Sequence, residues 1–391
     1  MQKNKQTSGH TRSRITDKER YQAVAGPFLA IILSLIVGAL IILCLGKNPL
    51  IAYQNLLQGS GILPKASYAG HKSMLTDFTS FMNAWTPMLF ASLSVAVALR
   101  AGLFNIGVSG QMLTAGFITT LVVGYSSLAA PIAKPLVLVV GIATGALVGG
   151  LIGWLKFKFN INEVVSSIMI NYIAQYVISF FITTYYVNPV SRQSNLVSAE
   201  SRLTLVDTVV GDLKMDIPLG IILAVLAAVL VRFLMERTTF GYEIKCVGTS
   251  LNAARYAGIN VGRKMVMAMV LSGALAGLAG VTYYLGYFGS IQPKVLPSTG
   301  FDAIAVSLLA NSNPIGIIFS SFLVTVISKG GTYMNSASGL ETEMAAVLTG
   351  IILLFSACSA YIQHKVRLFG NEKKERGKNS GHRNADKGGN S

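Results

Sequence analysis

Long apolar runs follow one another along almost the whole chain, and they constrain its fold more than any other feature. A helix that crosses a bilayer needs about 20 mostly apolar residues. The chain is 52% hydrophobic and only 12% charged, which is unlike an ordinary soluble domain. We therefore predict an all-α integral membrane protein with about ten transmembrane helices. The runs lie near residues 24–45, 80–99, 103–124, 133–155, 164–187, 218–235, 264–287, 300–312, 315–329 and 343–362.

The distribution of basic residues predicts the orientation of these helices. If ten helices start from an inside N-terminus, 23 of the 32 Lys and Arg residues fall inside and 9 fall outside. Because basic residues are retained on the cytoplasmic side, both termini are expected there. This predicts a basic cytoplasmic tail over 1–23, a membrane domain over 24–362, and a basic disordered tail over 363–391. The net charge of +16 then reflects orientation and anionic lipid, and no nucleic-acid partner is expected.

The sequence contains no recognisable catalytic or metal-binding pattern. Its four histidines lie in tails, loops or a helix end, and Cys44, Cys246 and Cys358 have no paired spacing. A phosphate-binding G-x-x-x-x-G-K-[ST] motif is also missing. We expect no enzymatic activity, no metal and no cofactor bound by this chain.

Glycines recur at helical spacing in two of the runs. Small residues four apart let two helix backbones approach closely in lipid, so these positions predict helix packing rather than solute contact. They are Gly141, Gly145, Gly149 and Gly153 in one run, and Gly273 and Gly277 in the other.

Polar residues inside the apolar runs are the remaining candidates for a solute path, because a polar group in hydrocarbon is costly unless it faces a cavity or another helix. Glu163, Ser167, Asn171 and Gln175 are four residues apart and share one helix face. This stripe either lines a path or bonds to another helix, and the sequence leaves both roles open. The candidate path residues are Phe104, Asn105, Ser109, Gln111, Ser167, Asn171, Gln175, Phe301 and Asp302.

The mixture of neutral polar and aromatic residues favours a neutral, hydroxyl-rich or ring-bearing solute over an ion. Glu163 is expected to cap its helix, where a carboxylate complements the helix dipole. Asp302, placed by this topology at the outer surface, could be either a cap or a solute contact. Phe104-Asn105 and Phe301-Asp302 each begin a run soon after a glycine. These matching starts favour an inverted five-plus-five repeat, a common plan in transporters.

Four ordered segments resemble one family. They are RAGLFNIGVSGQM at 100–112, NEVVSSIMINYIA at 162–174, GYEIKCVGTSLNAARYAGINVGRK at 241–264, and GFDAIAVSLLANSNPIG at 300–316. Together they are similar to the permeases of ABC importers for branched-chain amino acids, ribose and nucleosides, and above all to nucleoside-type permeases paired with basic-membrane-protein-type lipoproteins. The resemblance implies two permease subunits, two cytoplasmic ATPases that use ATP, and an extracytoplasmic binding lipoprotein.

The resemblance also assigns roles to particular segments. The inside loop 236–264, with a short helix expected over 251–257, resembles the element that docks into the ATPase. Many relatives have Glu where this chain has Ser109, so a carboxylate is not essential there. The Ser form resembles the longer of two non-identical permeases, which implies a heterodimer. Ribose or another sugar is the alternative solute, and an ion-coupled secondary transporter is the alternative class. The implied coupling residues are Asn252, Ala253, Ala254, Arg255, Tyr256, Ala257 and Gly258.

Overall fold

The computed structural model describes residues 29–357 apart from 69, 211 and 342. The tails predicted over 1–23 and 363–391 lie outside the described residues. Of the described residues, 42–349 form one compact unit, and 29–41 with 350–357 belong to another. The solute-path and coupling candidates all belong to the unit 42–349.

The described chain is mostly helical. The helices are α1 Leu29–Cys44, α2 Pro49–Gly59, α3 Met74–Arg100, α4 Val108–Thr119, α5 Ala130–Phe159, α6 Glu163–Phe181, α7 Gly220–Arg237, α8 Thr239–Thr249, α9 Leu251–Tyr256, α10 Val261–Val281, α11 Thr299–Leu309, α12 Pro314–Ser338 and α13 Glu343–Ala357. Three of them continue into π-helical turns: α4 over Thr120–Gly124, α6 over Ile182–Tyr186 and α10 over Thr282–Phe288.

The membrane-protein prediction is confirmed, whereas the count of ten spans stays a prediction. Within the described residues five helices are long and apolar enough to cross a bilayer, namely α3, α5, α6, α10 and α12. A sixth span results if α1 and α2 are one broken span. The runs 103–124 and 300–312 form the shorter helices α4 and α11, and α11 has only 11 residues, too few to cross alone.

The buried core of the unit 42–349 is built around α3 and α10. Of the most apolar 18-residue stretch of α3, 83% is buried inside the protein, whereas the corresponding stretches of α5 and α6 are only 33% and 39% buried. The outward faces of α5 and α6 are nevertheless apolar, with Leu147, Tyr176 and Phe180 each more than 60% exposed. Since exposed apolar area of this extent is rare on soluble monomers, these faces suit lipid or another membrane subunit.

The predicted glycine packing is confirmed between α5 and α10. A Cβ atom on Gly145 would overlap the carbonyl oxygen of Gly273, and one on Gly277 would overlap that of Gly141. A Cβ on Gly149 would lie 2.8 Å from Cα of Gly273. The two backbones therefore touch, which is what small residues four apart permit in lipid.

The all-α prediction was wrong in one segment, because residues 188–217, between the apolar runs 164–187 and 218–235, contain a β-hairpin. Strands β1 Thr204–Val210 and β2 Leu213–Pro218 pair antiparallel, with an irregularity between Leu205 and Thr208. The hairpin is fixed to α3, since the Thr204 hydroxyl donates to Asn83 Oδ1 at 2.8 Å and Asn83 Nδ2 donates to the Asp216 carbonyl at 3.2 Å. Paired β-strands satisfy their backbone groups locally, and no hydrophobic run signals so short a hairpin.

Candidate solute path and coupling surface

The segment between α3 and α4 turns back into the protein instead of forming a surface loop. Arg100, the last residue of α3, donates from Nε to the Ser312 carbonyl at 3.1 Å. Gly102 has φ +71° and packs against Gly248 of α8, with 3.0 Å from a Cβ at 102 to Cα of Gly248. A left-handed φ and a touching backbone both favour glycine. The chain then extends to Asn105, beside the middle of α10.

Asn105 is the centre of a buried hydrogen-bond network. Its Nδ2 donates to Ser272 Oγ at 2.9 Å and to Gln111 Oε1 at 3.1 Å, and its Oδ1 accepts from Gln111 Nε2 at 3.2 Å. Ser272 in turn donates to the Ser94 carbonyl at 2.8 Å. Asn105 and Gln111 are at most 1% exposed. Buried polar groups require partners, and here the network joins α3, α4 and α10.

Ser109 and Asn171 connect α4 to its neighbours in the same way. Ser109 is fully buried and donates to the Pro297 carbonyl at 2.9 Å. Asn171 accepts from the Gly110 amide at 2.8 Å and donates to the Ile106 carbonyl at 3.1 Å. Its side chain thereby satisfies backbone groups at the start of α4, which have no helical partner.

The polar stripe on α6 faces the protein along its whole length. Glu163 pairs with Lys156 at 2.9 Å, Ser167 is buried and donates to the Val164 carbonyl at 2.9 Å, and Gln175 donates to the Lys294 carbonyl at 2.6 Å. Of these bonds, the Glu163–Lys156 pair joins α6 to α5, whereas Ser167 bonds within α6 and Gln175 bonds to the segment before α11. The stripe residues therefore have partners within the protein in the described conformation. Phe104 is half-buried, and Phe301 is 43% exposed.

The helices α4 and α11 begin against each other. A Cβ on Gly300 would overlap Oγ of Ser109, and each residue is the second of its helix. From this junction α4 and α11 diverge: α11 ends close to Ser312, which Arg100 contacts. Asp302 lies in the first turn of α11, two residues from this internal junction, and not at the outer surface as the sequence topology had it.

An aromatic and charged cluster, defined as Tyr283, Tyr287, Phe288, Asp302 and Lys329, lies beside this junction. Ring centroids are 4.8 Å apart for Tyr283 and Phe288, and 4.6 Å apart for Tyr287 and Phe288. The Asp302 carboxylate lies near the Tyr283 phenol, and the Asp302 amide donates to the Ser298 carbonyl at 2.9 Å. Three of the residues lie in the π-helical end of α10, and π-helical turns occur often at functional sites.

Lys329 is the cluster residue that sequence reasoning missed. The apolar run ended at Lys329, but α12 continues to Ser338. Among the described spanning helices, Lys329 alone is a charged residue more than two turns from both helix ends. Its Nζ donates to Tyr287 Oη at 2.6 Å and lies 4.9 Å from the ring centroid, and it forms no ion pair with any described carboxylate. A lysine in an apolar helix was the available signal.

Cluster residues line two separate concavities. Tyr283 and Phe288 border one of about 70 Å³ with Gln193 and Gln292. Lys329 borders another of about 270 Å³, together with the ion pair of Lys65 and Asp77, 2.7 Å apart. Both volumes are below the ~300–1,000 Å³ usual for ligand pockets. The described residues include no group of three or more metal-ligating side chains.

The short helix expected over 251–257 is present as α9, and all of its residues except Ala254 are exposed. Tyr256 is 95% exposed, while Ala254 is 2% exposed and joins the core. Ser250 Oγ accepts from the Ala253 amide at 3.3 Å and caps the helix, and Gly258 with φ +78° ends it. Asn252, Ala253, Arg255, Ala257 and Gly258 are also exposed.

Comparison with known proteins identifies the family. The family model for the branched-chain amino acid transport system permease component matches residues 78–357. The chain belongs to this permease family. It is a permease subunit of an ABC importer, and a multi-pass integral membrane protein of the bacterial plasma membrane. The matched range contains the buried network, the cluster and α9.

Curated relatives of the permease cover most of its length. It is 33% identical to the nucleoside ABC transporter permease NupB of Lactococcus lactis over 86% of this chain and 91% of that protein. It is 34% identical to the guanosine ABC transporter permease NupP of Bacillus subtilis over 86% and 94%. It is 26% identical to the glucose ABC transporter permease TsgB13 of Haloferax volcanii over 87% and 89%. The family implies ATP-binding subunits and a substrate-binding protein as partners.

Proposed function

We propose that this permease subunit moves a nucleoside-like neutral solute into the cell. The observation that carries the proposal is the 33–34% identity to two permeases named for nucleoside and guanosine, over 86% of the chain in each case. The aromatic cluster supports the same solute class, because an exposed ring such as Phe288, 52% exposed, can bind a planar heterocycle by stacking. A carboxylate beside the rings adds an acceptor for hydroxyl groups.

Transport is driven by ATP that partner ATPases bind, and this chain has no ATPase site of its own. The exposed surface of α9 with Arg255, Tyr256 and Gly258 docks into the ATPase, because only Ala254 of this short helix is buried and its other residues are not covered by the unit 42–349. ATP binding brings the ATPases together, and α9 transmits that movement to the membrane helices. The docking surface also includes Asn252, Ala253, Ala254 and Ala257.

The chain forms a domain of about ten membrane segments over 24–362, with both termini in the cytoplasm. An inverted five-plus-five repeat is supported by α4 and α11, which start at one junction and run apart. Paired short helices at corresponding positions of two halves are typical of inverted repeats. The end with α8 and α9 is cytoplasmic, and the end with the β-hairpin faces the binding lipoprotein. A second, non-identical permease completes the translocation path.

The candidate path residues divide by position. Phe301 and Asp302 contact the solute directly, and Phe104 does so as the path opens. The other six candidates hold α4, α6 and α10 in register, and their hydrogen bonds exchange during alternating access. These six are Asn105, Ser109, Gln111, Ser167, Asn171 and Gln175.

A simple sugar is the second candidate solute, and the glucose permease relative from Haloferax volcanii supports it. The test is uptake of labelled nucleosides, ribose and glucose by membrane vesicles that contain the whole importer. Nucleoside uptake that needs ATP and the ATPase subunit is the expected result. Uptake of ribose or glucose without nucleoside uptake contradicts the nucleoside assignment, and uptake that persists without the ATPase contradicts the importer mechanism.

A further inference from the structure

The helix α6 exposes an aromatic stripe, defined as Tyr172, Tyr176 and Phe180. These residues are four positions apart and therefore share one helix face. Each of the three side chains is more than half exposed. The buried side of the same helix carries Ser167 and Asn171, which are at most 2% exposed and bond to the protein. A solute that passes α6 in the described conformation would therefore meet the aromatic stripe and not Asn171.

The two tyrosines of the aromatic stripe have open ring faces and unpaired hydroxyl groups. Among the described residues, neither Tyr172 nor Tyr176 pairs with another aromatic ring, and neither phenol has a hydrogen-bond partner. Phe180 differs, since its ring meets that of Phe181 edge to face at 5.7 Å. A phenol both donates and accepts hydrogen bonds, and it usually has a partner when it is removed from water.

Both tyrosines lie near the middle of their span. The helix and its π-helical end cover Glu163–Tyr186, 24 residues in all. At about 1.5 Å per residue, Tyr172 and Tyr176 lie within about 4 Å of the middle of the helix, whereas the edge of a ~30 Å hydrocarbon core is about 15 Å away. Tyrosine is enriched at the membrane–water interfaces, where its hydroxyl reaches water. At mid-span a phenol that faces lipid tails has no partner, which is costly.

The exposed faces of α5 and α6 differ in this respect. In the middle of α5 the exposed large side chains are all aliphatic, namely Val139, Ile142, Leu147 and Leu151. Exposed aromatic residues begin only at Trp154, near the end of that helix, where an interface is expected. The exposed face of α5 therefore suits lipid tails, whereas the phenols at the middle of α6 require a polar medium.

We propose that Tyr172 and Tyr176 form one wall of a water-filled solute path, on which a nucleoside base stacks while water and the solute hydroxyls bond to the phenols. This inference rests on the proposed function. A water-filled path supplies partners to both phenols and leaves both ring faces open. The solutes named for two relatives, nucleoside and guanosine, contain planar rings that fit such faces. Every base has a π-face, so this wall accepts purine and pyrimidine nucleosides alike.

The first test measures which medium surrounds the aromatic stripe. A charged, water-soluble thiol reagent is applied to the complete importer, and modification of this subunit is measured by mass spectrometry. The reagent reacts with the thiolate, which forms in water and not in lipid tails. Tyr172→Cys and Tyr176→Cys should react, and saturating guanosine should slow both reactions severalfold. Leu147→Cys, on the exposed face of α5, is the matched control and should not react. Serine first replaces the native Cys44, Cys246 and Cys358.

The second test measures uptake of labelled guanosine by the complete importer in proteoliposomes, with one binding protein throughout. Tyr176→Leu should lower uptake about tenfold, the effect of losing one stack between a base and an aromatic ring. Tyr176→Trp keeps an aromatic face and should retain most of the uptake. Leu147→Val is the control and should transport as wild type does. Thermal unfolding in detergent should be alike in all of them, because both positions are exposed.

The outcomes separate this inference from the proposed function. A wild-type importer that takes up no nucleoside overturns the proposed function. Normal wild-type uptake with both cysteines unreactive, as at a surface covered by lipid or by the second permease, overturns only the solute wall. Cysteines that react at the same rate with and without guanosine also overturn it, and so does wild-type uptake by Tyr176→Leu.

Discussion

Gly300 of α11 packs directly on Ser109 of α4, so the two short helices start against each other inside the protein. The contact leaves no room for a side chain at position 300. Around it lie the buried Asn105 network on one side and the aromatic cluster on the other. The junction therefore fixes the start of α11 against the start of α4.

Gly300→Ala should destabilise the permease by about 1–3 kcal/mol, the usual cost of overpacking a tight contact. The measurement is thermal unfolding of the purified protein in detergent. Gly350→Ala is the control, because a Cβ at position 350 meets nothing within 4 Å and alanine is the better helix former. Equal stability of the two variants would show that the helices do not touch at Gly300.

Asn105→Ala should lower both thermal stability and uptake, because it leaves the buried Gln111 amide and the Gly107 N–H without their partner, at a cost of about 1–3 kcal/mol. Thr114→Ala is the matched control, since Thr114 donates only to the Gly110 carbonyl of its own helix, at 2.7 Å. Unfolding in detergent and solute uptake are measured on both variants. If they behave alike, the Asn105 network does not hold the helices together.

Tyr256→Ser should abolish co-purification of the ATPase and leave the thermal stability of the permease unchanged, because the side chain is 95% exposed and contributes nothing to the core. Val190→Ser, at a position 93% exposed near the opposite end, should leave ATPase binding intact. An ATPase that still binds the Tyr256→Ser variant at full strength would remove α9 from the interface.

Arg255→Glu should leave membrane insertion intact while uncoupling ATP hydrolysis from uptake, because it reverses the charge on the docking helix. Gly258→Trp should have the same effect, and its φ of +78° also strains any residue with a side chain. ATPase activity and uptake are measured together on the assembled importer. Normal coupling in both variants would contradict the assigned role of the loop 236–264.

Several features follow from the sequence because their physical cause is local. The spacing of Gly145, Gly149 and Gly273 predicts close helix packing, and glycine after 251–257 predicts the end of α9. The polar stripe on α6 could likewise be assigned to one face. Its partners could not be assigned, because a residue such as Asn171 bonds equally well to a helix or to a solute.

Other features depend on contacts between distant segments. The junction of Gly300 and Ser109 joins residues 191 positions apart in the sequence. Hydrophobicity alone predicts that the runs 103–124 and 300–312, which contain them, are ordinary membrane-spanning helices. Lys329 lay at the edge of an apolar run, and only the length of α12 places it inside a helix. The sequence does not predict the β-hairpin, because a short two-stranded ribbon has no hydrophobic periodicity that distinguishes it from a polar loop.

The central claim is that ATP hydrolysis, and not an ion gradient, drives solute through this chain. The most direct measurement is uptake of labelled guanosine by proteoliposomes containing the whole importer, with ATP supplied to the ATPase side and ionophores present to dissipate all ion gradients. Uptake that continues with ionophores and stops when a non-hydrolysable ATP analogue replaces ATP is the predicted result. Uptake that stops with ionophores and continues without ATP hydrolysis would contradict it.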